Sequence, residues 1–233
     1  MDLETIKTGV EQFRKQETRL HTLFNNAAVQ CSESTKTAQG WEIHFGVNVL
    51  APFLLTHLLT STLLDTAKLG DDVRVVWVSS LSVEVLGERD RAILRDYLEY
   101  WPTVSALERY GITKAAAWVH GSEMAKRFPH ITSITCNPGH LRSELYRDQN
   151  RLLRGVLNTV VLYPTEFGAY TELVAGVSPT VKKKDSGRWM IPWGRWGEIR
   201  KDLMGVSSPS AKEGKSHAQD FWDWCLEQLS LYV

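Results

Sequence analysis

The chain has 233 residues, of which 43% are hydrophobic and 23% charged, and its 27 basic and 27 acidic side chains leave a formal net charge of zero. This length and apolar content predict one globular domain with a sizeable core. The balanced charge excludes the basic excess of nucleic-acid-binding proteins and gives no reason to expect docking on an acidic membrane surface, so no nucleic-acid partner is expected.

The three cysteines stand far apart and lack a C-x-x-C spacing; they are Cys31, Cys136 and Cys225. This pattern predicts neither a disulfide framework nor a zinc site, and it fits a reducing compartment. The first residues also lack the character of a signal peptide. A cytoplasmic location is therefore expected.

The histidines offer no metal-binding pattern. His44, His57 and His140 lack the spacing of known metal sites, so they are interpreted as hydrogen-bonded or solvent-facing side chains, and no metal site is predicted. No uninterrupted apolar run reaches membrane-spanning length, and no membrane span is predicted.

The first third of the chain predicts a helix, a buried strand and a second, longer helix. Leu3 to Arg19 carry apolar residues at spacings of three and four, which is typical of an amphipathic helix. The apolar run Leu20 to Phe24 leads into Asn25-Asn26-Ala27-Ala28, which predicts a buried strand that opens into a loop. Thr37 to Leu69 is predicted to be long and mostly helical, with a kink at Pro52.

The middle of the chain predicts two more strands around a helix. The β-branched run Val73 to Ser80 predicts a strand that ends in two serines. Leu81 to Leu107 is predicted to be a loop with one or two helical turns. A helix is predicted from Tyr110 to about Phe128, and a third strand from Ile131 to Asn137, closed by Pro138-Gly139.

The last third predicts a helix, a short strand and a closing helix, at Thr165 to Val177, Gly187 to Trp193 and Ala218 to Leu231. Strands that alternate with helices predict a mostly parallel sheet with helices on both faces. Ligands of such sheets bind at the carboxyl ends of the strands. Three predicted strands end there in small or polar residues: Asn25-Asn26-Ala27, Ser79-Ser80 and Asn137-Pro138-Gly139.

One stretch carries a chemical signal. Tyr110 and Lys114 lie four residues apart at the start of an alanine-rich helix, which places them on one face. An ammonium beside a phenol favours the phenolate, so the pKa of the tyrosine is expected to fall from about 10 and the phenol can transfer a proton at neutral pH. On this pair alone, a surface lysine beside a half-buried tyrosine stays an open alternative.

Five motifs in a fixed order resemble the short-chain dehydrogenase/reductase family, and most closely its retinol-dehydrogenase-like and fungal branches. They are Asn25-Asn26-Ala27-Ala28, Asn48 in Phe45-Gly46-Val47-Asn48, Ser80 in Val78-Ser79-Ser80, Tyr110 with Lys114, and Pro138-Gly139-His140-Leu141-Arg142-Ser143. The resemblance implies an α/β fold with a Rossmann-like doubly wound parallel sheet. It implies one domain over residues 1–233, with a partial nucleotide-binding half (1–80) and a catalytic and substrate half (81–233).

The resemblance also implies a reaction, a hydride transfer between NADP or NAD and a carbonyl or alcohol of a small molecule. It assigns proton donation to Tyr110, a hydrogen bond to the substrate oxygen to Ser80, the cofactor ribose to Lys114, and a water of the proton relay to Asn48. The cofactor contacts that it implies are Asp2, Asn26, Ala27, Tyr110, Lys114, Leu141 and Ser143.

The chain departs from the family pattern at its front. It contains no G-x-G, and Asp2-Leu3 resembles the dipeptide that follows the family's third strand. On this resemblance the chain is expected to lack the first β-α-β-α-β segment. The strand at Leu20 to Phe24 would then lie at a sheet edge, which invites pairing with another chain, is compatible with a homo-oligomer and predicts poor solubility. Ala28 stands for the family's Gly, and Ser143 for its Thr.

Two hypotheses from different classes follow. The first is an NAD(P)-dependent oxidoreductase of fungal secondary metabolism, in which Leu81 to Leu107 and Leu145 to Val161 shape the substrate pocket. The aromatic and aliphatic content of these segments favours a bulky, apolar substrate. The second is a catalytically inactive truncated fragment, or an interaction protein that retains only the C-terminal part of the fold.

Overall fold

The computed structural model describes residues 1–31, 35–85, 96–142, 162–208 and 214–233. Ser143, one of the expected cofactor contacts, falls on 143–161 and lies outside the described residues. The same holds for the predicted pocket segment Leu145 to Val161, and for the stretch of Leu81 to Leu107 that falls on 86–95.

A five-stranded sheet organises the described residues. Its strands are β1 (Thr22–Asn25), β2 (Arg74–Val78), β3 (Thr132–Cys136), β4 (Trp189–Ile191) and β5 (Arg195–Gly197). They lie side by side in chain order; β1 to β4 run parallel, and β5 pairs with β4 in the antiparallel direction. The predicted mostly parallel α/β sheet is confirmed, and β1 forms one edge of it. The hairpin partner β5 was not predicted.

Helices connect the strands and cover the sheet. They are α1 (Glu4–Gln16), α2 (Ile43–Phe45), α3 (Ala51–Lys68), α4 (Ser82–Val85), α5 (Tyr97–Tyr100), α6 (Ala106–Arg127), α7 (Thr165–Val177), α8 (Lys201–Ser207) and α9 (His217–Gln228). A π-helical turn, Gly46–Leu50, joins α2 to α3. Prediction placed α7 at its observed bounds and α1 and α9 within three residues of theirs, whereas α8 was not predicted.

The two faces of the sheet carry separate cores. The side chains of β2 are buried along its whole length and alternate between the faces. Val75 and Trp77 belong to a large core with residues of α3, α6 and α9. Val76 and Val78 belong to a smaller core with Ala175 of α7. Burial on both faces is the arrangement of a doubly wound sheet, as the resemblance implied.

The helix α6 begins four residues earlier than predicted. Ser105 caps it: the Ser105 hydroxyl accepts from the Glu108 backbone N–H, and the Glu108 carboxylate accepts from the Ser105 N–H. This reciprocal capping box satisfies two backbone donors that a helix start leaves unpaired. Tyr110 and Lys114 consequently lie in the second and third turns of α6, where the backbone is fully hydrogen-bonded, and not at its start.

The long helix after β1 also differs from prediction. It starts at Ile43 and not near Thr37, and its irregularity is the π-helical turn, in which the Ala51 N–H donates to the Gly46 carbonyl five residues back. Pro52 falls in the first turn of α3, directly after the π-helical turn, and a kink at Pro52 stays a prediction.

The segment Ile43–Lys68 is long and apolar enough to cross a membrane by length and composition. Within the protein, 56% of its most apolar stretch is buried, and its residues Phe45, Phe53 and Leu54 belong to the core of one sheet face. The prediction of no membrane span rested on uninterrupted apolar runs, and this helix is interrupted by polar residues.

Candidate functional site

The carboxyl ends of β1, β2 and β3 meet at one edge of the sheet, here called the rim. Asn25 at the end of β1 is paired with Trp77, and Val78 at the end of β2 is paired with Cys136 at the end of β3. The residues that follow these strands, among them Asn26 and Ser80, therefore emerge side by side. Parallel sheets bind their ligands at this edge.

The first half of α6 brings Tyr110 and Lys114 to the rim. Both side chains are buried, and the Lys114 ammonium lies 5.8 Å from the centre of the Tyr110 ring. Lys114 Nζ donates a hydrogen bond to the carbonyl oxygen of Val78 at 2.8 Å, which ties α6 to the end of β2. The helical spacing of four thus places both groups on one face, as the sequence predicted.

Burial shapes the charge of this site. Desolvation lowers the pKa of Lys114 to about 8, against the opposing pull of the Glu172 carboxylate. Burial raises the pKa of the Glu172 carboxyl on α7, which the Lys114 charge partly offsets. An ammonium in so dry a place acts strongly on neighbouring groups, because solvent screens it little. The effect of Lys114 on the pKa of Tyr110 stays a prediction.

The two serines after β2 have different surroundings. The Ser79 hydroxyl is buried and donates to the Lys114 carbonyl oxygen at 2.8 Å, so it fastens the strand end to α6. Ser80 is half-exposed at the rim, and its hydroxyl oxygen accepts from the Ser82 N–H at 3.1 Å, so its own proton can be donated to an acceptor in the site. The structure therefore favours Ser80 for contact with a ligand and gives Ser79 a structural role.

Asn48 lies in the π-helical turn and links three elements. Its side-chain oxygen accepts from the Val29 N–H at 2.8 Å, and its amide donates to the Val29 carbonyl at 3.0 Å and to the Thr113 hydroxyl at 3.1 Å. The Thr113 hydroxyl in turn donates to the Tyr110 carbonyl at 3.0 Å. Asn48 thus ties the loop after β1 to the helix that carries Tyr110.

The loop after β1 borders a cavity of about 250 Å³, lined on one side by the exposed Asn26 and Ala27, and on another by Met1. The neighbouring Asn25 donates to Thr56, while its buried carbonyl oxygen has no hydrogen-bond partner in the described stretches of the chain. A buried acceptor without a partner is costly, and this Asn25 side-chain oxygen belongs to a residue that also lines the cavity. The loop therefore fits an NAD(P) cofactor.

The expected contact Asp2 has other partners. Its carboxylate accepts from the Gln39 side-chain amide at 2.5 Å and from the Glu4 N–H at 3.1 Å, and these hydrogen bonds lower the pKa of the carboxyl. Asp2 lies at the start of α1, next to the cavity-lining Met1, and its role in cofactor binding stays a prediction.

A larger cavity, of about 460 Å³, opens beside Ser80 and the end of β3. Its apolar lining is formed by Leu81, Tyr163, Ile191, Pro192 and Trp193, and its polar lining by Glu84, Asn137, His140, Arg195 and Glu198. The Tyr163 and Trp193 rings meet edge to face, 5.0 Å apart.

The loop after β3 forms one wall of this cavity. Gly139 adopts a left-handed backbone conformation, with φ of 96°, that side chains disfavour, and a Cβ there would approach Pro192 at 3.1 Å. The expected cofactor contact Leu141 follows; its backbone forms a bridge with Tyr163 and its side chain packs on Gly168 of α7. The turn after β3 is thus fixed in direction.

Sequence reasoning missed residues that act through these contacts. Thr113 lies between Tyr110 and Lys114 in the quoted stretch, yet nothing in the spacing shows that its hydroxyl meets Asn48. Glu42 precedes α2, where a carboxylate suits a helix start, and this signal could have identified it as a cap. Among the described residues, no three His, Cys, Asp or Glu side chains are grouped closely enough to hold a metal ion.

Comparison with known proteins gives clear relatives. The chain is 48% identical over 240 residues to the short-chain dehydrogenase/reductase bet4 of Neocamarosporium betae, with 100% of this chain and 69% of that relative covered. It is 53% identical over 196 residues to the short-chain dehydrogenase/reductase sthC of Phaeosphaeria nodorum, with 81% and 62% covered. The chain thus spans roughly two thirds of the length of these relatives.

Among solved structures, the fold is similar to that of NADPH-bound carbonyl reductase from chicken fatty liver. The TM-score is 0.58 at 18% sequence identity, and 85% of this chain and 73% of that chain are covered. A likeness at this identity shows a shared fold. No family model matches the chain.

Proposed function

The chain belongs to the short-chain dehydrogenase/reductase family, and we propose that it is an NAD(P)-dependent oxidoreductase that interconverts a carbonyl and an alcohol on a bulky, apolar small molecule. The observation that carries the proposal is the buried Lys114 beside the Tyr110 ring, tied by a hydrogen bond to the end of β2 at the rim. Relatives from fungi support a place in fungal secondary metabolism, and the free cysteines are compatible with the cytoplasm.

The two cavities suggest a division of labour along the chain. Within residues 1–80, Asn26 and Ala27 would hold the adenosine side of NADP or NAD, together with Asp2. Within residues 81–233, the expected set of cofactor contacts is completed by Tyr110, Lys114, Leu141 and Ser143. When bound, the nicotinamide supplies or accepts the hydride, and the protein supplies position and electrostatics.

The side chains at the rim then have distinct tasks. In the reductive direction the Tyr110 hydroxyl donates a proton to the carbonyl oxygen, and the Ser80 hydroxyl donates a hydrogen bond to that oxygen and polarises it. The Lys114 ammonium binds ribose hydroxyls and favours the phenolate that is left behind. Asn48 and Thr113 keep the helix in register with the cofactor loop.

The substrate side of the proposal rests on the larger cavity. Its volume of about 460 Å³ admits a molecule of drug-like size, and its aromatic and aliphatic walls favour apolar surface. Burial raises the pKa of Glu84 in its wall, against the charge of Arg200. The Glu84 carboxyl can accept a hydrogen bond from a substrate hydroxyl. We therefore expect a mainly apolar substrate that also carries a hydroxyl group.

The experiment is a titration of the protein with NADPH and NADH, followed by cofactor fluorescence, and then turnover of apolar ketones by the wild type and by Tyr110→Phe. Cofactor should bind, and the variant should lose roughly 10²- to 10⁴-fold in kcat with little change in affinity, because only the proton donor is gone. Tyr170→Phe, an exposed tyrosine on α7, is the matched control. A folded wild type that binds neither nucleotide contradicts the proposal.

A further inference from the structure

A second buried titratable cluster lies next to the rim, outside the four expected catalytic residues. His44 of α2 is fully buried, and its Nδ1 lies 2.6 Å from Glu42 Oε1. Its other ring nitrogen, Nε2, accepts the backbone N–H of Cys31 at 3.2 Å. Because Nε2 accepts, it carries no proton, so the ring proton must be on Nδ1 and is donated to Glu42. The contacts define the tautomer of His44.

Glu42 is buried as well, and its second oxygen is also satisfied. Oε2 accepts from the Phe45 N–H at 2.9 Å and from the Tyr97 hydroxyl at 2.9 Å. Burial raises the pKa of the carboxyl, but the hydrogen bonds from His44 and Phe45 outweigh it and lower the pKa overall. Glu42 is therefore an ionised carboxylate at neutral pH. It caps the start of α2 through the Phe45 N–H and is bonded to Tyr97 of α5.

The target of this cluster is the loop that continues from the cofactor contacts. His44 binds the backbone of Cys31, and four residues later Asn48 binds both backbone groups of Val29. Two buried side chains of one helix thus fasten the same three-residue loop, and Asn26 and Ala27 closely precede it. A loop held by its backbone keeps its path whatever side chains it carries.

We propose that His44, oriented by Glu42, is a positioning residue that holds the loop after β1 in the shape that binds the cofactor. The proposal has two parts. That His44 fixes the loop concerns the protein alone, whereas the effect of this loop on cofactor binding rests on the proposed function. His44 acts through the Cys31 amide and touches neither substrate nor cofactor.

A packing role alone would make a different prediction. Phenylalanine keeps a planar ring at this fully buried site and removes both ring nitrogens. If His44 only filled space, phenylalanine would replace it with little effect on the loop, and glutamine would serve worse. If His44 acts through its acceptor, the order is reversed, since the glutamine carbonyl can accept from Cys31 while its amide donates to Glu42.

The experiment compares three variants by hydrogen exchange and by cofactor affinity. In His44→Phe, exchange of the Cys31 amide should rise about tenfold or more and that of Val29 should follow, while His44→Gln should stay near the wild type. The NADPH Kd should rise about tenfold in His44→Phe and be largely rescued in His44→Gln. His120→Phe is the matched control and should change neither readout, because the ring nitrogens of this buried histidine have no hydrogen-bond partner within the described residues.

The outcomes separate the two proposals. Unchanged exchange of Cys31 and Val29 in His44→Phe, or a glutamine variant no better than the phenylalanine variant, would overturn the positioning role. Altered exchange with an unaltered Kd would also overturn it, because the loop would then move without consequence for binding. If the wild type binds no nucleotide, the proposed function fails by itself and the exchange measurements alone decide the role of His44.

Discussion

Two buried titratable side chains lie six residues apart on the same helix, and their surroundings differ sharply. Lys114, at the rim, donates to the Val78 carbonyl and feels the charge of Glu172. His120, about 1.7 turns further on, has no partner for either ring nitrogen among the described residues. It lies among the rings of Phe53, Trp77, Phe221 and Trp222. Burial lowers both pKa values, to about 8 for Lys114 and about 3 for His120.

The difference separates buried polar groups that have hydrogen-bond partners near a binding site from a buried polar group that only packs in the core. At the rim, polar groups of different elements are hydrogen-bonded to one another, and Asn25 and Asn26 there line a cavity that a ligand can fill. In the aromatic core the imidazole is neutral and contributes only ring packing. We therefore expect substitutions at the rim to change activity, and a substitution of His120 to change only stability.

After Tyr110→Phe, the largest effect is expected from the serine pair at the end of β2. Ser80→Ala should lower kcat about 100-fold, because it removes a hydrogen bond to the substrate oxygen. Ser79→Ala should lose about 1 kcal/mol of unfolding free energy, because the Lys114 carbonyl loses a buried partner, with only a few-fold change in kcat. Steady-state kinetics and urea unfolding of both variants would reveal a reversed order, which would contradict the assignment.

The next effect concerns Lys114. Its folded pKa of about 8 lies below the ordinary value of 10.5, so the buried ammonium costs stability below pH 8, and the cost disappears as the pH rises from 8 to 10.5. Lys114→Met should gain on the order of 1–2 kcal/mol at pH 7, less the lost bond to Val78, while cofactor affinity falls about tenfold or more.

The measurement for Lys114→Met is thermal unfolding together with NADPH titration. Lys126→Ala, on the same helix but partly exposed, is the control and should leave cofactor affinity unchanged. A Lys114→Met variant that is less stable than the wild type across pH 7 to 10 would show that the ammonium is well solvated by its partners, against the lowered pKa.

The smallest effect is expected at His120. Its pKa of about 3 lies below the ordinary value of 6.5, so stability falls as the pH drops from 6.5 towards 3, where the unfolded chain binds the proton and the native chain does not. His120→Phe should remove this dependence, worth on the order of 1 kcal/mol between pH 7 and 5. Urea unfolding at several pH values tests this prediction. If the unfolding free energy of the variant falls equally steeply with pH, His120 does not cause the dependence. His130→Phe, at an exposed site, is the control.

Much of the fold could be predicted because local pattern and tertiary structure agree. The β-branched run of β2 is buried on both faces, so composition alone identified the strand. The helix α7 follows Pro164 and ends before Pro179, and both prolines mark boundaries in the sequence. The strand β5 is only three residues long and depends on pairing with β4, so no periodic signal announces it.

The candidate site was predicted by its residue types but not by its contacts. The spacing of Tyr110 and Lys114 gave their shared face, because helix geometry fixes it. The bonds of Asn48 to Val29 and Thr113 join segments far apart in sequence, which only the folded chain brings together. His44 was expected to be hydrogen-bonded or solvent-facing; it is hydrogen-bonded, and its partners could not be read from spacing.

The π-helical turn at Gly46–Leu50 changes the direction in which the following side chains of the helix point. An α-helix advances by about 100° per residue, and a turn closed by a five-residue hydrogen bond holds one residue more than its neighbours. The extra residue therefore rotates the side chains after Gly46–Leu50 around the helix axis, relative to where an unbroken α-helix would place them. Within this one helix, His44 and Asn48 bond the loop at Cys31 and Val29, while Phe45, Phe53 and Leu54 pack in the core. One continuous helix can thus hydrogen-bond the loop after β1 and also contribute side chains to the core.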